Sequence, residues 1–304
     1  MCRPIISVVI PHLNQPEHLR SCLASLARQS FDSRLVEIVV VDNGSKEPPA
    51  DICSEFDGVR LVAEPAPGPG PARNLGVKVS NGAILAFIDA DCTADPDWLA
   101  AIERALTDAS DTQLIGGDVR IARQDPQRAT MIEAYESIYA YRQEEYITRH
   151  RYSGTGNLAM RREVYDAVGP FCGIERAEDR DWGRRASDLG FAVRYMPDMV
   201  VYHPARRSFA ELCTKWDRHI SHTYAEDACG LIGRLRWLGR TVAVAGSPLF
   251  EAHRILTSPR VATRRERLSA AVALVRIRMY RASRMLATLV GQTSARASRD
   301  WNRT

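Results

Sequence analysis

Two carboxylates one residue apart close the stretch Ala83-Ile84-Leu85-Ala86-Phe87-Ile88-Asp89-Ala90-Asp91. A short, nearly all-apolar run of this kind predicts a strand buried on both faces. A buried strand that runs into two acids needs something to compensate them, because an isolated buried carboxylate is costly without a cation, a metal or several donors. Oxygen ligands suit a hard divalent cation, and Mg²⁺ typically takes one or two carboxylates plus the phosphates of a substrate. Asp89 and Asp91 therefore point to a metal that joins the strand end to a phosphorylated ligand. Without such a ligand, the same two acids read as turn residues capping the helix that follows.

Three further groups have types suited to chemistry, each beside a plainer structural reading. Asp42-Asn43-Gly44-Ser45 ends a second apolar run and serves either as a tight turn or as a ligand contact. Glu178 and Asp179 fall where a helix begins, and there the helix dipole stabilises anions whatever their use. His203 ends another strand-like segment beside Arg206 and Arg207, residue types that hold a metal or a diphosphate.

The elements that must position these groups follow from hydrophobic spacing. Ile5–Ile10, Glu37–Val41, Val59–Val62 and the run ending at Ile88 read as strands, with helices over Pro16–Leu26 and Ala72–Val79 between them. The loop Glu64–Pro71 holds four prolines and two glycines and reads as neither helix nor central strand. Alternation of this sort predicts a mostly parallel sheet, whose strand ends share one edge. Pro11, Asp42, Glu64 and Asp89 then converge where open α/β sheets bind their ligands. Further on, Trp98–Leu106 reads as helix, Gln113–Val119 as strand and Arg128–Thr148 as one long helix. The tyrosines of that helix suit either half-buried packing or a sugar platform. Arg162–Val168 and Gly183–Leu189 read as short helices, and Phe191–Tyr195 and Met199–Tyr202 as separate strand segments.

The chain has 304 residues, 45% of them hydrophobic, ample for a sizeable core. Its formal charge of +4 is unevenly spread: from Cys229 onward there are 15 Arg, no Lys and three acids, about +12, leaving about −8 on the remainder. An acidic body argues against a nucleic-acid groove, and a basic tail argues for an anionic partner. Leu268, Val272, Val275, Met279, Ala282, Leu286 and Leu289 recur at helical spacing, with Arg276, Arg278, Arg281 and Arg284 off that stripe. Three surfaces suit such a helix: an anionic membrane, the catalytic body, or a second copy in a homodimer. The seven cysteines form no C-x-x-C pair, as expected of reduced thiols. No signal peptide and no spanning run is evident. The expected location is cytoplasmic, with peripheral contact at the inner face of the plasma membrane. Residues 292–304 are polar and expected to fray.

Taken in order, Val8-Val9-Ile10-Pro11 with Asn14, Val40-Val41-Asp42-Asn43-Gly44-Ser45, Gly70-Pro71-Ala72-Arg73-Asn74-Leu75-Gly76 and Phe87-Ile88-Asp89-Ala90-Asp91 resemble family 2 glycosyltransferases of the GT-A fold. Gly156-Asn157-Leu158-Ala159-Met160-Arg161-Arg162 and Glu178-Asp179 match later motifs of that family, so the resemblance covers Ile5 to Arg207. It implies an α/β, Rossmann-like, mostly parallel sheet flanked by helices. It implies a catalytic domain over residues 1–228, with a nucleotide-sugar-binding half (1–115) and an acceptor-binding half (116–228). Residues 229–304 would be a basic helical extension outside the shared region. The activity implied is inverting transfer of a hexosyl or N-acetylhexosaminyl group from a nucleotide sugar, most often a UDP-sugar. The acceptor would be a hydroxyl on a glycan or lipid-linked glycan, and the cofactor Mn²⁺ or Mg²⁺.

Carried over by position, Pro11, Asn14 and Asp42 would line the nucleoside pocket, and Arg73 would hold the diphosphate. Asp89 and Asp91 would form the D-x-D pair, Asp91 the firmer metal ligand. His203 matches a histidine that ligates the metal in some members. Asp179 would be the catalytic base, with Glu178 and Asn157 on the acceptor side. The Pro-rich loop before Arg73 departs from the family pattern. Two other readings remain open. Asp89-Ala90-Asp91-Cys92-Thr93 also fits the D-x-D-x-T motif of haloacid-dehalogenase-type phosphatases, with Asp89 as nucleophile. A nucleotide-sugar-binding scaffold without turnover is the non-catalytic one.

Overall fold

The computed structural model describes residues 5–107, 111–174, 176–227 and 230–290. The frayed tail expected over 292–304 and the composition boundary at Cys229 lie outside the described residues. Eight strands are present: β1 (Ile6–His12), β2 (Val36–Asp42), β3 (Val59–Ala63), β4 (Ile84–Ile88), β5 (Thr93–Ala94), β6 (Leu114–Ala122), β7 (Asn157–Arg161) and β8 (Arg194–Pro204). The helices are α1 (Pro16–Leu26), α2 (Ala50–Ser54), α3 (Pro69–Val79), α4 (Trp98–Thr107), α5 (Met131–Tyr139), α6 (Gln143–His150), α7 (Arg162–Val168), α8 (Glu178–Asp188), α9 (Phe209–Asp227), α10 (Gly230–Thr257) and α11 (Arg264–Leu289). The described chain divides into two compact units, Met1–Arg120 with Arg142–His203, and Ile121–Tyr141 with Pro204–Thr304.

The sheet runs β3-β2-β1-β4-β7-β6-β8-β5. Its first half is parallel, with β1 between β2 and β4 and with β3 on β2. Beyond β4, β7 pairs antiparallel with β4 and β6, and β5 antiparallel with β8. β6 therefore runs with β1–β4, and the sheet is mixed but mostly of one direction, as expected from the sequence, with β7 reversed inside it. The first unit buries Val9, Val39, Val41, Leu85 and Phe87 of these strands together with Ala72, Val164, Trp182 and Ala186 from the helices.

Three expected elements have different bounds. Helix α3 begins at Pro69, inside the loop read as helix-free, with Gly68 before it at φ 119°. Prolines are tolerated there because the first-turn N–H groups have no intrahelical partner to lose. The long helix over Arg128–Thr148 is two helices, α5 and α6, broken at Ala140 with ψ −103°. The two segments expected over Phe191–Tyr202 are one strand, β8, which runs through Pro197.

In the second unit, Ile132, Ala134 and Tyr135 of α5 pack with Leu212 of α9, Ile255 of α10 and Ala270, Ala273, Leu274 and Ile277 of α11. Tyr135 is buried and stacks on Tyr139 at 5.1 Å, and the Tyr139 hydroxyl donates to the Glu251 carbonyl at 3.0 Å. These tyrosines are packing residues. Helix α11 does not use the apolar stripe read from its sequence to pack. Leu268, Val272, Val275, Met279 and Leu286 of that stripe are exposed, and only Ala282 is buried. Three of the four arginines off the stripe face inward: Arg278 pairs with Glu251 at 2.6 Å, Arg284 with Asp217 at 3.0 Å, and Arg281 lies 3.5 Å from the Trp216 ring centroid. Among the described residues, Cys22, Cys53, Cys92, Cys172 and Cys213 are free thiols, and no helix is long and apolar enough to cross a membrane.

Candidate active site

Strand register sets the site. In the parallel half His12 lies level with Asp42, and Asp42 with Ala63. Val9 lies level with Phe87, which puts Pro11 and Asp89 at the same edge. The convergence expected of Pro11, Asp42, Glu64 and Asp89 is therefore built into the sheet, at its carboxyl edge.

At the β1–β2 end, His12 Nδ1 lies 3.1 Å from Asp42 Oδ1, both residues buried. The Gln15 N–H donates to His12 Nε2 at 3.2 Å, so Nδ1 carries the ring proton and donates it to Asp42. Burial holds the imidazole below its ordinary pKa although Asp42 opposes the shift. The other Asp42 oxygen accepts from the Ser45 N–H at 3.2 Å. Asn14, at φ 53°, accepts from the Lys46 N–H at 2.9 Å and donates its own N–H to Ser45 Oγ at 2.9 Å. These bonds lock the loops after β1 and β2 to each other. Sequence reasoning passes over His12, although it sits between Pro11 and Asn14 at a strand end.

At the β4 end, Arg73 of α3 is buried and reaches two acids at once. Its Nη2 donates to Asp89 Oδ1 at 2.6 Å and its Nη1 to Glu178 Oε1 at 3.1 Å. A buried guanidinium needs such partners, and its planar fork suits two carboxylates. The bridge ties the strand carrying the D-x-D pair to the first turn of α8. Gly156 approaches closely as well, since a Cβ there would stand 2.5 Å from Asp89 Oδ2. That contact accounts for the glycine before β7.

Asp91 faces a different partner, His203 of β8, at 3.2 Å from Nε2. Asp91, Cys92 and His203 bring their ligand atoms within 4.8 Å of one another. Burial disfavours the Asp91 carboxylate, but the hydrogen bond and charge of His203 and the charge of His18 outweigh it and hold the group below the ordinary carboxylate value. Burial and the charges of Asp91 and Asp89 push the Cys92 thiol well above its usual value, so it stays protonated and donates to Asp91 at 3.7 Å. The Asp91 carboxylate suits a hard divalent cation and the His203 imidazole a first-row transition metal, so the residues present fit a divalent cation. Asp89 stands outside that cluster, with one oxygen committed to Arg73.

Asp179 lies in the first turn of α8, next to Glu178, and accepts from the Arg180 N–H at 2.7 Å. Burial, and then the neighbouring Glu178, raise its carboxyl above the ordinary value, with Arg180 and Arg73 opposing. The Arg180 guanidinium lies 5.9 Å from the Tyr152 ring centroid, and Tyr152 stacks on Tyr146 at 5.4 Å. Burial first, and the charge of Asp179 second, push the Tyr152 phenol up to about 12. Neither Tyr152 nor Arg180 is marked by the sequence motifs.

One expected site residue is elsewhere. Asn157 is fully buried and its amide is fully used. It accepts from Trp98 Nε1 at 2.8 Å and donates to the Asp118 and Met199 carbonyls, each at 2.8 Å. It joins α4, β6, β7 and β8 and is a core residue rather than an acceptor contact. The polar glycine loop before it suggests an open site, but the strand that follows turns this amide into the core.

Residues 7–177 match the model of the family described as Glycosyl transferase family 2. The chain is 35% identical to Glycosyltransferase AglE of Haloferax volcanii over 220 residues, 70% of each chain. It is 26% identical to the Putative glycosyltransferase EpsH of Bacillus subtilis over 66% of this chain and 60% of that one. Among solved structures, a mannosyltransferase, PcManGT from Pyrobaculum calidifontis in complex with GDP-Man and Mn²⁺, superposes with a TM-score of 0.57 at 18% identity, covering 97% of this chain and 89% of the other. S. aureus TarS 1–349 in complex with UDP-GlcNAc gives 0.54 at 17% identity, covering 94% and 92%. At these identities the structural likenesses speak to the fold, which is that of the GT-A glycosyltransferases. The sequence likenesses reach further: with a family match over more than half of its length and a relative this similar across 70% of it, the chain belongs to glycosyl transferase family 2.

Proposed function

We propose that this protein moves a sugar from a nucleoside-diphosphate donor to a hydroxyl of a glycan or lipid-linked glycan, with inversion, in one metal-assisted displacement. The observation that carries the reading is the Arg73 bridge, which holds the strand-end acid Asp89 and the Asp179-bearing end of α8 in one place. Asp91 and His203 would hold the divalent cation, with Asp89 beside them. When bound, such a cation supplies Lewis-acid neutralisation of charge on a diphosphate. The rest falls to the chain's own residues. Pro11 and Asn14 flank the nucleoside end, and Asp42 addresses the base through lone pairs that His12 and Ser45 leave unused. Burial raises the Asp89 carboxyl above its ordinary value, and Arg73 opposes that rise while holding the group in place. Asp179 takes the proton of the acceptor hydroxyl as that oxygen attacks the anomeric carbon, and its raised pKa suits the task. Glu178 keeps that pKa up, and Tyr152 with Arg180 forms the wall beside it.

The D-x-D-x-T phosphatase reading has less support, because a nucleophilic Asp89 would have one oxygen occupied by Arg73 at 2.6 Å. Donor identity turns on the base and the sugar. The TarS complex holds UDP-GlcNAc and the mannosyltransferase complex GDP-Man, which makes uridine and guanosine donors the first to try. The test is a thermal-shift panel of nucleotide sugars with and without Mn²⁺, followed by transfer assays with the donor that protects. Asp179→Asn is expected to lower transfer by about a thousandfold while leaving donor protection intact. Near-normal turnover by that variant would remove Asp179 from the role of base. Equal protection with and without Mn²⁺ would remove the metal.

A further inference from the structure

In the second unit, α10 and α11 each expose a row of large apolar side chains where a water-exposed helix should be polar. On α10, Leu231, Leu235, Leu238, Val242, Leu249 and Leu256 recur at spacings of three, four or seven and are all exposed, Leu249 at 84%. On α11, Leu268, Val272, Val275, Met279 and Leu286 repeat the pattern, Leu268 at 67%. Residues so spaced lie on one side of a helix, so each helix carries an exposed apolar ridge. The buried side of each is different: Gly233, Trp237, Thr241 and Val244 on α10, and Ala270, Ala273, Leu274 and Ile277 on α11. The two helices pack along each other and pay for their folding with that inner side, leaving the ridges uncovered. Large apolar side chains exposed in ordered rows, rather than singly, mark an interaction site.

Charge decides what covers it. Exposed Arg234 adjoins the α10 ridge, and exposed Arg264 and Arg265 adjoin the start of the α11 ridge. Between residues 230 and 290 the only acids are Glu251 and Glu266. Glu251 is held by Arg278, and Glu266 by Arg123 and the α11 cap. The ridges are thus bordered by arginine and offer no exposed acid. A second copy docked ridge to ridge about a twofold axis would bring arginine against arginine with nothing to neutralise it. A surface of anionic phospholipid supplies both acyl chains and negative charge. We propose that α10 and α11 lie in the interface of an anionic bilayer, ridges inward to the acyl chains, as a peripheral anchor that does not span. No helix among the described residues is long and apolar enough to cross.

The proposal is independent of the transfer reading, and its test uses no donor. The full chain is sedimented with vesicles of phosphatidylglycerol and phosphatidylcholine in equal parts, and with vesicles of phosphatidylcholine alone. Binding to the anionic vesicles that weakens with salt is expected. The combined variant Leu235→Glu, Leu249→Glu, Val272→Glu and Met279→Glu should lose about tenfold or more in partitioning. All four sites are exposed, and a circular-dichroism melt equal to wild type shows the fold is kept. Arg234→Gln with Arg264→Gln and Arg265→Gln leaves the ridges and should lose the preference for anionic vesicles. Absence of vesicle binding by the wild type overturns the proposal, as does a ridge variant that binds equally well. A lipid-free dimer that the ridge substitutions convert to monomer assigns the surface to a second copy instead.

Discussion

A carboxylate that must accept a proton near neutrality works best when its pKa lies above the ordinary carboxylate value, and Asp179 meets that condition through burial and Glu178. The sign of the dependence follows. Below its pKa Asp179 is protonated and, in the role proposed for it, cannot take the acceptor proton, so turnover is expected to climb as pH rises through that value. Replacing Glu178 with Gln removes a neighbouring negative charge and frees Arg73 to act on Asp179, and both changes favour ionisation. The acid limb of the kcat/KM profile should therefore move to lower pH in Glu178→Gln. A limb that stays put or moves up would separate Glu178 from the ionisation of Asp179. Asn157 makes the opposite kind of residue-scale case. Asn157→Ala strips partners from the Trp98 indole and two buried carbonyls and should lower stability by about 2–4 kcal/mol, read by urea unfolding. A stable variant with a raised acceptor KM would return Asn157 to the acceptor side. Asp89 and Asp91 stand out in the sequence because an apolar run that ends in two acids is costly unless something pairs with them. Asn157 and His12 are not, because a motif records a residue type without recording whether its side chain turns to the cleft or the core.

At the level of elements, the strands of the parallel half are plain in the sequence, since β-branched runs ending in polar residues have few alternatives. The break between α5 and α6 is not, because Tyr139-Ala140-Tyr141-Arg142 contains neither glycine nor proline. The start of α3 is missed for the converse reason: prolines taken as helix breakers occupy its first turn, where they are tolerated. Close approach of elements is a further thing composition hides. Helix α8 meets the loop before β7 at Gly183, where a Cβ would stand 2.5 Å from Tyr152 Cβ and 2.9 Å from its Cα. Asp179 lies one turn before that contact, so the glycine sets how closely the first turn of α8, with the proposed base, approaches Tyr152. Gly183→Ala must part the helix from the loop. Misplacement of this size should cost about ten- to a hundredfold in kcat with little change in donor protection. An alanine variant with full kcat would show that the spacing of α8 from Tyr152 does not matter to transfer.

At the level of the whole chain, composition and packing draw different lines. The change to an arginine-rich, lysine-free sequence near Cys229 suggests a catalytic body that ends there. Packing instead groups Ile121–Tyr141 with everything from Pro204 onward. Helix α5 is the reason. Its buried side, Ile132 and Tyr135, rests on Ala270, Ala273, Leu274 and Ile277, and the Tyr139 hydroxyl is held by the Glu251 carbonyl. A chain ended at Ala228 keeps α5 and α9 but loses α10 and α11, exposing Ile132, Tyr135, Leu212 and the Trp216 ring that Arg281 covers. Side chains of that size contribute about 1.5–3 kcal/mol each when buried, so removing their cover from several at once approaches the whole stability of a domain. The truncated chain is expected to aggregate, or to melt well below the full chain with a broadened transition in calorimetry. The second unit's core would then be a requirement for the first 228 residues to exist in soluble form, whatever its outer surface binds. Cooperative melting of the truncated chain at the temperature of the full one would instead restore residues 1–228 as a self-sufficient domain, and leave α10 and α11 as a pure appendage.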